Sequence, residues 1–166
     1  MKSVLISIQP KWCELIANGK KTVEVRKTKP KIDTPFKCYI YETKTPLRWN
    51  KAHNNIIGGE GGYIIGEFVC DEIKDCREVF IAPTCLTTDE WLKYTDGYKR
   101  KVWGWHISDL VIYDKPRELR EFWQCGGTFN VERDNIDDIK IIGRKVYKPI
   151  TRPPQSWCYV ESEDKK

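Results

Sequence analysis

Hydrophobic and polar residues follow two different periods along this chain, and the changes of period divide it into strands and helices. The mostly apolar, β-branched run from Val4 to Ile8 predicts a strand that is buried on both faces. Pro10 then stands where proline suits the first position of a helix, and apolar residues follow at helical spacing. Because Gly19 is typical of a helix end, the pattern predicts a short helix over residues 10–19.

The next segment changes to strict alternation. Val23 and Val25 share one face of a predicted strand over residues 22–26, while Glu24 and Arg26 share the other. A second helix is expected to open at Thr87 or Thr88, where a capping residue precedes acidic residues, and to end by Gly97. Further strands are predicted over residues 36–41, 63–73, 102–113, 139–147 and 157–160.

Polar stretches separate these elements. Residues 43–62 end in a glycine cluster and predict a long loop insertion, residues 126–138 are expected to be irregular, and residues 161–166 form a flexible tail. The order of strand, helix, then mostly strands with one more helix indicates the α+β class, with a mixed sheet curled towards a barrel. The length suits a single domain over residues 1–160.

Composition narrows the function classes. The net charge of +5 permits binding to polyanions without being a basic-domain signature. There is no apolar run long enough to cross a membrane, and the N-terminal run is too short for a signal peptide, so we expect a cytoplasmic protein with no membrane contact. The seven cysteines have no paired spacing and predict reduced thiols. The spacing of Cys76, Cys85 and His53 does not support a metal site, so neither metal nor cofactor is expected.

The strongest candidate site comprises Lys20, Lys21, Glu24 and Arg26. A carboxylate two residues from a guanidinium can hold it in one orientation, as binding to a phosphate or a base requires. A lysine in such a charged cluster is also a candidate general base. The alternative is a solvated strand face with an ordinary surface ion pair, which is common and weak.

Two further segments carry candidate ligand groups. In the segment from Trp103 to Asp109, Trp105 offers a stacking surface and Ser108 a hydroxyl. Trp103 is expected in the core, and for Trp105 a core position is an equal alternative. After two prolines, Gln155 and Ser156 could present amide and hydroxyl groups to a base edge. The alternative for the segment that carries Gln155 and Ser156 is a proline-rich connector without a binding role.

The first part of the chain resembles the start of an ASCH domain, a member of the PUA-like superfamily, as found in small proteins of Firmicutes bacteria and their phages. The resemblance rests on the run from Ile6 to Trp12, on Leu15 and Ile16, and on the segment from Gly19 to Arg26. The family pattern Gly-x-Lys-x-x-Glu-x-Arg is matched by Gly19, Lys21, Glu24 and Arg26. The segment from Gly104 to Ile107 and the closing strand near Trp157 are compatible with later family strands.

This resemblance implies a pseudo-β-barrel with a short helix after the first strand, a second helix between later strands, and a cleft beside the first helix for RNA or a modified nucleotide. One branch of the family hydrolyses N4-acetylcytidine with a lysine, a threonine and a glutamate. Lys21 matches that lysine, Glu24 stands at the threonine position, and the glutamate has no assigned counterpart. Other relatives have been proposed as ribonucleases.

Three hypotheses follow. The first is a module that binds RNA, single-stranded nucleic acid or a modified nucleotide, with Trp12 or Trp105 stacking on a base and Lys21 and Arg26 meeting phosphate. The second is a hydrolase with Lys21 and Glu24 as catalytic residues. The third is a protein that binds a host or phage protein partner. The candidate binding residues are Gln9, Lys11, Trp12, Lys20, Lys21, Glu24, Arg26, Trp105, Ser108, Gln155 and Ser156.

Overall fold

The computed structural model describes residues 2–52, 54–76, 82–126, 139–142 and 145–161. Within these residues the chain forms two α-helices, α1 (Pro10–Ala17) and α2 (Thr88–Thr95), and thirteen strands. The strands are β1 (Lys2–Ile8), β2 (Val23–Arg26), β3 (Phe36–Glu42), β4 (Arg48–Asn50), β5 (Asn55–Ile57), β6 (Ile64–Cys70), β7 (Ile73–Asp75), β8 (Trp103–His106), β9 (Ser108–Arg117), β10 (Trp123–Cys125), β11 (Lys140–Ile142), β12 (Lys145–Pro149) and β13 (Trp157–Glu161).

Eight of these strands form one sheet in the order β11-β12-β10-β13-β1-β3-β6-β9. β1 pairs with β3 in parallel and with β13 in antiparallel fashion, so the sheet is mixed. A second sheet has the order β2-β8-β7, and β4 and β5 form a separate hairpin. β1 therefore lies near the middle of the large sheet, as its continuous apolar run predicts.

The core has three parts. Val4, Ile6 and Ile8 of β1 pack with Cys13 and Ile16 of α1 on one face of the large sheet. A second cluster around Leu5 covers the other face. A third cluster joins α2 to the small sheet through Val25, Trp91 and Val102. The small sheet is thus held between the large sheet and α2.

The end of α1 sets the position of β2. Gly19 adopts a positive φ of 67°, which a residue without Cβ tolerates, and the amides of Lys20 and Lys21 both donate to the carbonyl of Leu15. The amide of Thr22 then donates to the carbonyl of Pro83. These bonds turn the chain from the helix directly into the small sheet.

α2 begins with a complete capping box. The Glu90 amide donates to the Thr87 hydroxyl, and the Thr87 amide donates to the Glu90 carboxylate. Asp96 ends the helix in a left-handed conformation. The expected helix starting at Thr87 or Thr88 and ending by Gly97 is confirmed.

The α+β class, the helix after the first strand and the helix between later strands are confirmed. The segment predicted as a long loop over residues 43–62 contains the β4–β5 hairpin, so the prediction is wrong for residues 48–50 and 55–57. The predicted strands over 63–73, 102–113 and 139–147 are each divided in two. Residues 127–138 and 162–166 lie outside the described residues. In the described part of the chain, neither helix is long and apolar enough to cross a bilayer.

Gly104 lies in β8 between β2 and β7, where a Cβ atom would overlap Cys76 Sγ and approach Val23 Cγ1 to 2.9 Å. We expect Gly104→Ala to lower the free energy of unfolding by about 1–3 kcal/mol, because overpacking displaces close-packed neighbours. Urea unfolding followed by tryptophan fluorescence measures this change. In a Cys76→Ala background the same substitution should be less destabilising, since the overlapping sulfur is gone. An equal loss in both backgrounds would contradict the proposed contact.

Candidate functional site

The polar face of β2 points into the molecule. Glu24 is buried beside Trp105, its partner on β8, and Arg26 is only 11% exposed. The opposite face carries Val25 into the cluster under α2, and the Tyr94 hydroxyl donates to the Val25 carbonyl at 3.2 Å. Burial raises the pKa of the Tyr94 phenol, so this hydroxyl stays a donor at neutral pH. β2 is therefore covered on both faces, and the interpretation of Glu24 and Arg26 as a solvated surface pair is wrong.

Lys21 brings a charged ammonium group to the start of this strand at 3% exposure. Its Nζ donates to the carbonyls of Val23 at 2.9 Å and Thr84 at 2.7 Å. The same atom lies 3.3 Å from Glu24 Oε2, an ion pair without hydrogen-bond geometry, and 5.1 Å from the centroid of the Trp12 ring. Two carbonyl acceptors and one carboxylate surround the ammonium group, and these contacts offset much of the free-energy cost of removing it from water.

Arg26 completes the cluster from the other side of Glu24. Its terminal nitrogen lies 3.0 Å from Glu24 Oε1 and donates to the carbonyl of Ser7 at 2.6 Å. Glu24 thus stands between two cations, each of which also bonds to the backbone. The Arg26 Nε is buried and makes no hydrogen bond to any described residue. We call Lys21, Glu24 and Arg26 together the charged triad.

Ser7 links this triad to the proline-rich segment before β13. While its carbonyl accepts from Arg26, its hydroxyl donates to the Pro154 carbonyl at 2.6 Å and its amide donates to the Ser156 carbonyl at 2.9 Å. These bonds fix residues 154–156 against the end of β1. As a result, Gln155 lies at the edge of the same cavity as Arg26.

The two helices are joined across this region by an ion pair. Lys11 Nζ lies 2.9 Å from Glu90 Oε1 and 4.2 Å from the centroid of the Trp12 ring. Because Glu90 also belongs to the capping box of α2, the ammonium group of Lys11 ties the start of α1 to the start of α2. The half-buried indole of Trp12 lies below this ammonium group, in the cavity wall.

These elements enclose a cleft of about 1180 Å³ whose floor is the charged triad. Ligand pockets for small molecules measure roughly 300–1000 Å³, so this cleft has room for a nucleotide and more. Its basic lining residues are Lys21, Arg26, Lys27, Lys44, Lys93 and Arg120. Its acidic lining residues are Glu24, Glu90 and Glu118. The cleft lining is therefore net positive.

The structure brings together six of the residues selected from sequence: Gln9, Trp12, Lys21, Glu24, Arg26 and Gln155. The remaining five do not line the cleft. Lys20 is exposed outside it, Lys11 lies over Trp12, and Ser156 contributes its carbonyl to Ser7. Ser108 donates its hydroxyl to the Val69 carbonyl at 2.9 Å.

The proposed stacking role of Trp105 is wrong. Its side chain is fully buried in the main core, where it packs edge-on against Phe36 and at a tilt against Trp157. The alternating sequence pattern of β8 does not show whether a strand face is exposed or covered. Here the residues that cover Trp105 are distant in sequence. The ring has no free face for a base.

Sequence reasoning missed several residues of the cleft. Tyr94 and Lys93 come from α2, while Arg120 comes from the turn after β9. The sequence around each of these residues contains no recognisable binding motif, so only the tertiary structure shows that they line the cleft. The only sequence signal for Ser7 is that it is a polar residue within the apolar run of β1. A hydroxyl buried there needs hydrogen-bond partners.

All seven cysteines are free thiols, and burial raises the pKa of Cys13 and Cys38 well above the ordinary range. A neutral buried thiol is a poor nucleophile. Among the described residues, no three histidine, cysteine or acidic side chains are arranged to hold a metal ion. The polar and aromatic groups that line the cleft are charged, hydroxyl, amide, indole and phenol side chains.

The mixed sheet and the helix inserted between β1 and β2 define an α+β domain. A family model described as the ASCH domain matches residues 6–117. The chain belongs to the ASCH domain family, whose PUA-like fold is often linked to RNA binding.

Solved structures of one bacterial protein agree with this assignment. ASCH from Zymomonas mobilis is 20% identical, with a TM-score of 0.62 over 97% of this chain and 89% of that chain. A Ser-to-Ala mutant of that protein is 19% identical, with a TM-score of 0.61 over 96% and 88%. A Tyr-to-Phe mutant is 20% identical, with a TM-score of 0.60 over 97% and 91%. At this identity the likeness shows the fold, and no curated protein matches the chain significantly.

Replacement of Glu24 should be strongly destabilising. In Glu24→Ala the Lys21 and Arg26 charges remain buried without their shared counter-ion, so we expect a loss of about 3 kcal/mol in the free energy of unfolding. Glu72→Ala is the control, because its ion pair with Lys74 is exposed and such pairs contribute about 0–1 kcal/mol. Urea denaturation of both variants gives the comparison. Similar losses in the two variants would show that the triad behaves as a surface ion pair.

The contribution of Glu90 should depend on pH. Hydrogen bonds from the Thr87 amide and the Lys11 ammonium group lower the pKa of this carboxyl to about 2. A lowered pKa means that the ionised form stabilises the fold above the ordinary pKa of 4.5, and that this stabilisation disappears as the pH falls towards 2. We therefore expect the stability difference between wild type and Glu90→Gln to narrow over that interval in urea unfolding.

Lys11→Met is the matched control for the Glu90 experiment. It removes one donor and keeps the Thr87 amide, so its pH dependence should lie between those of wild type and Glu90→Gln. A difference between wild type and Glu90→Gln that is constant from pH 5 to pH 2 would contradict this account.

Proposed function

We propose that this protein binds single-stranded nucleic acid, or a modified nucleotide within it, in the cleft above the charged triad. The observation that carries the proposal is the charge of the lining, where six basic side chains stand against three acidic ones. Such a surface attracts the phosphate groups of a nucleic acid whatever its base sequence. The family assignment supports the same class of partner.

The shape of the lining supports single-stranded nucleic acid. Trp12, Tyr63 and Tyr94 give the cleft aromatic walls beside its basic groups. Bases that are not paired can stack on such rings, whereas the bases of a duplex are covered by their neighbours. The amide of Gln155 lies at the rim, where it can donate to and accept from a base edge.

The triad favours binding over hydrolysis. Two carbonyls and a carboxylate surround the Lys21 ammonium group, so its protons point to acceptors inside the protein. A general base instead needs a lone pair directed at the substrate. In this geometry Lys21 and Glu24 support the floor of the cleft, and contact with phosphate falls to the exposed basic residues at its rim.

Charge reversal at the rim tests the proposal. We expect Lys93→Glu and Arg120→Glu each to weaken the binding of a short fluorescent single-stranded RNA about tenfold at moderate salt, because each loses a phosphate contact and adds a repulsive charge. Both side chains are exposed, so folding should be unaffected. Fluorescence anisotropy measures the dissociation constant, and the affinity of wild type should fall as salt rises.

Lys115→Glu is the matched control for these rim variants. It makes the same change of charge on an exposed residue of β9 that does not line the cleft. If Lys115→Glu weakens binding as much as the rim variants do, the attraction is a property of net charge and not of the cleft. Absence of RNA and DNA binding by the wild-type protein would overturn the proposal itself.

A further inference from the structure

A second basic and aromatic surface adjoins the cleft. Lys29 Nζ and Lys101 Nζ lie 4.3 Å and 4.5 Å from the centroid of the same ring, that of Trp103. The Asp75 carboxylate forms an ion pair with Lys101 Nζ at 3.0 Å. Trp103 is half-buried, and both lysines are exposed. We call Trp103, Lys29 and Lys101 the Trp103 patch.

The pairing of β2 with β8 places this patch next to the floor of the cleft. Trp103 is the direct partner of Arg26, so the two side chains share one face of the small sheet. Directly paired residues have Cα atoms about 5 Å apart. Arg26 and Trp103 are therefore neighbours at one end of the small sheet.

Lys27 connects the two surfaces. It lines the cleft, and its ammonium group lies 5.2 Å from the centroid of the Tyr94 ring. The loop that carries Lys27 and Lys29 is fastened to β13, because Trp157 Nε1 donates to the Thr28 hydroxyl at 3.0 Å and the Lys31 amide donates to the Tyr159 hydroxyl at 2.6 Å. The basic side chains are thus presented from a backbone that is held in place.

The patch has the chemistry of a nucleotide site. Two ammonium groups lie on one aromatic ring, and the Asp75 carboxylate pairs with Lys101. Ammonium groups can bind a phosphate, and the exposed part of the indole offers an aromatic surface for the adjoining base.

We infer that the Trp103 patch binds the nucleotide next to the one held in the cleft, so that the ligand is a single strand of at least two nucleotides. This inference rests on the proposed function and deepens it. The strand runs from the cleft past Lys27, crosses the edge of the small sheet beside Arg26, and reaches Trp103. A free mononucleotide would occupy the cleft alone.

The test compares ligands of two lengths. In the double variant Lys29→Gln/Lys101→Gln, we expect the affinity for a fluorescent single-stranded oligonucleotide to fall about tenfold in anisotropy titrations, with a salt dependence reduced by about two charges. Displacement of the probe by a nucleoside monophosphate should be unchanged after correction for probe affinity. RNA and DNA probes are both used. Lys115→Gln is the matched control.

The possible results separate the two proposals. If wild type binds the oligonucleotide and the double variant binds it equally well, the patch is not a binding surface, while the proposed function of the cleft stands. If the double variant loses affinity for oligonucleotide and monophosphate alike, the patch does not contact a second nucleotide and the inference is overturned. If wild type binds neither ligand, both proposals fail.

Discussion

The carboxylate of Glu24, held between the buried cations of Lys21 and Arg26, is the interaction on which the cleft depends. Each cation also bonds to backbone carbonyls, those of Val23 and Thr84 on one side and that of Ser7 on the other. The triad therefore connects three separate parts of the chain, residues 21–26, Thr84 and Ser7, through charge-assisted bonds. A buried ion cluster is not inherently stabilising, but removing one member leaves uncompensated charge, so its members must remain together.

The same arrangement explains why the cleft forms where it does. Ser7, the second-last residue of β1, accepts a hydrogen bond from Arg26 through its carbonyl and donates one from its hydroxyl to the proline-rich segment. α1 ends in a turn that delivers Lys21 to the start of β2, and α2 stands on the other side through its ion pair with Lys11. The cleft is the gap between these elements, and the charged triad is its floor.

The parts of this design that depend on local pattern could be predicted from the sequence. The period of three to four from Trp12 to Ile16 and the glycine after it specify α1, and alternation specifies β2. Which face of β2 is covered could not be predicted, because alternation separates two faces without saying what packs on either. The covering groups, such as Thr84 and Ser7, lie far away in sequence. The β4–β5 hairpin was not predicted either, and the apolar side chains of Leu47 and Ile56 in this segment are exposed.

Burial of the triad also changes how the family pattern should be interpreted. Gly19, Lys21, Glu24 and Arg26 have the residue types expected of a ligand site, yet their charges are largely directed at one another and at the backbone. Their replacement would disturb the floor of the cleft whether or not they touch a ligand, so a loss of binding in such variants cannot by itself assign contact. The exposed basic residues of the rim lack this ambiguity, because their side chains carry charge without supporting the core. In this protein the residues that match the family pattern and those that we propose to contact the ligand are therefore best treated as two adjoining sets, one that builds the cleft and one that gives its rim a positive charge.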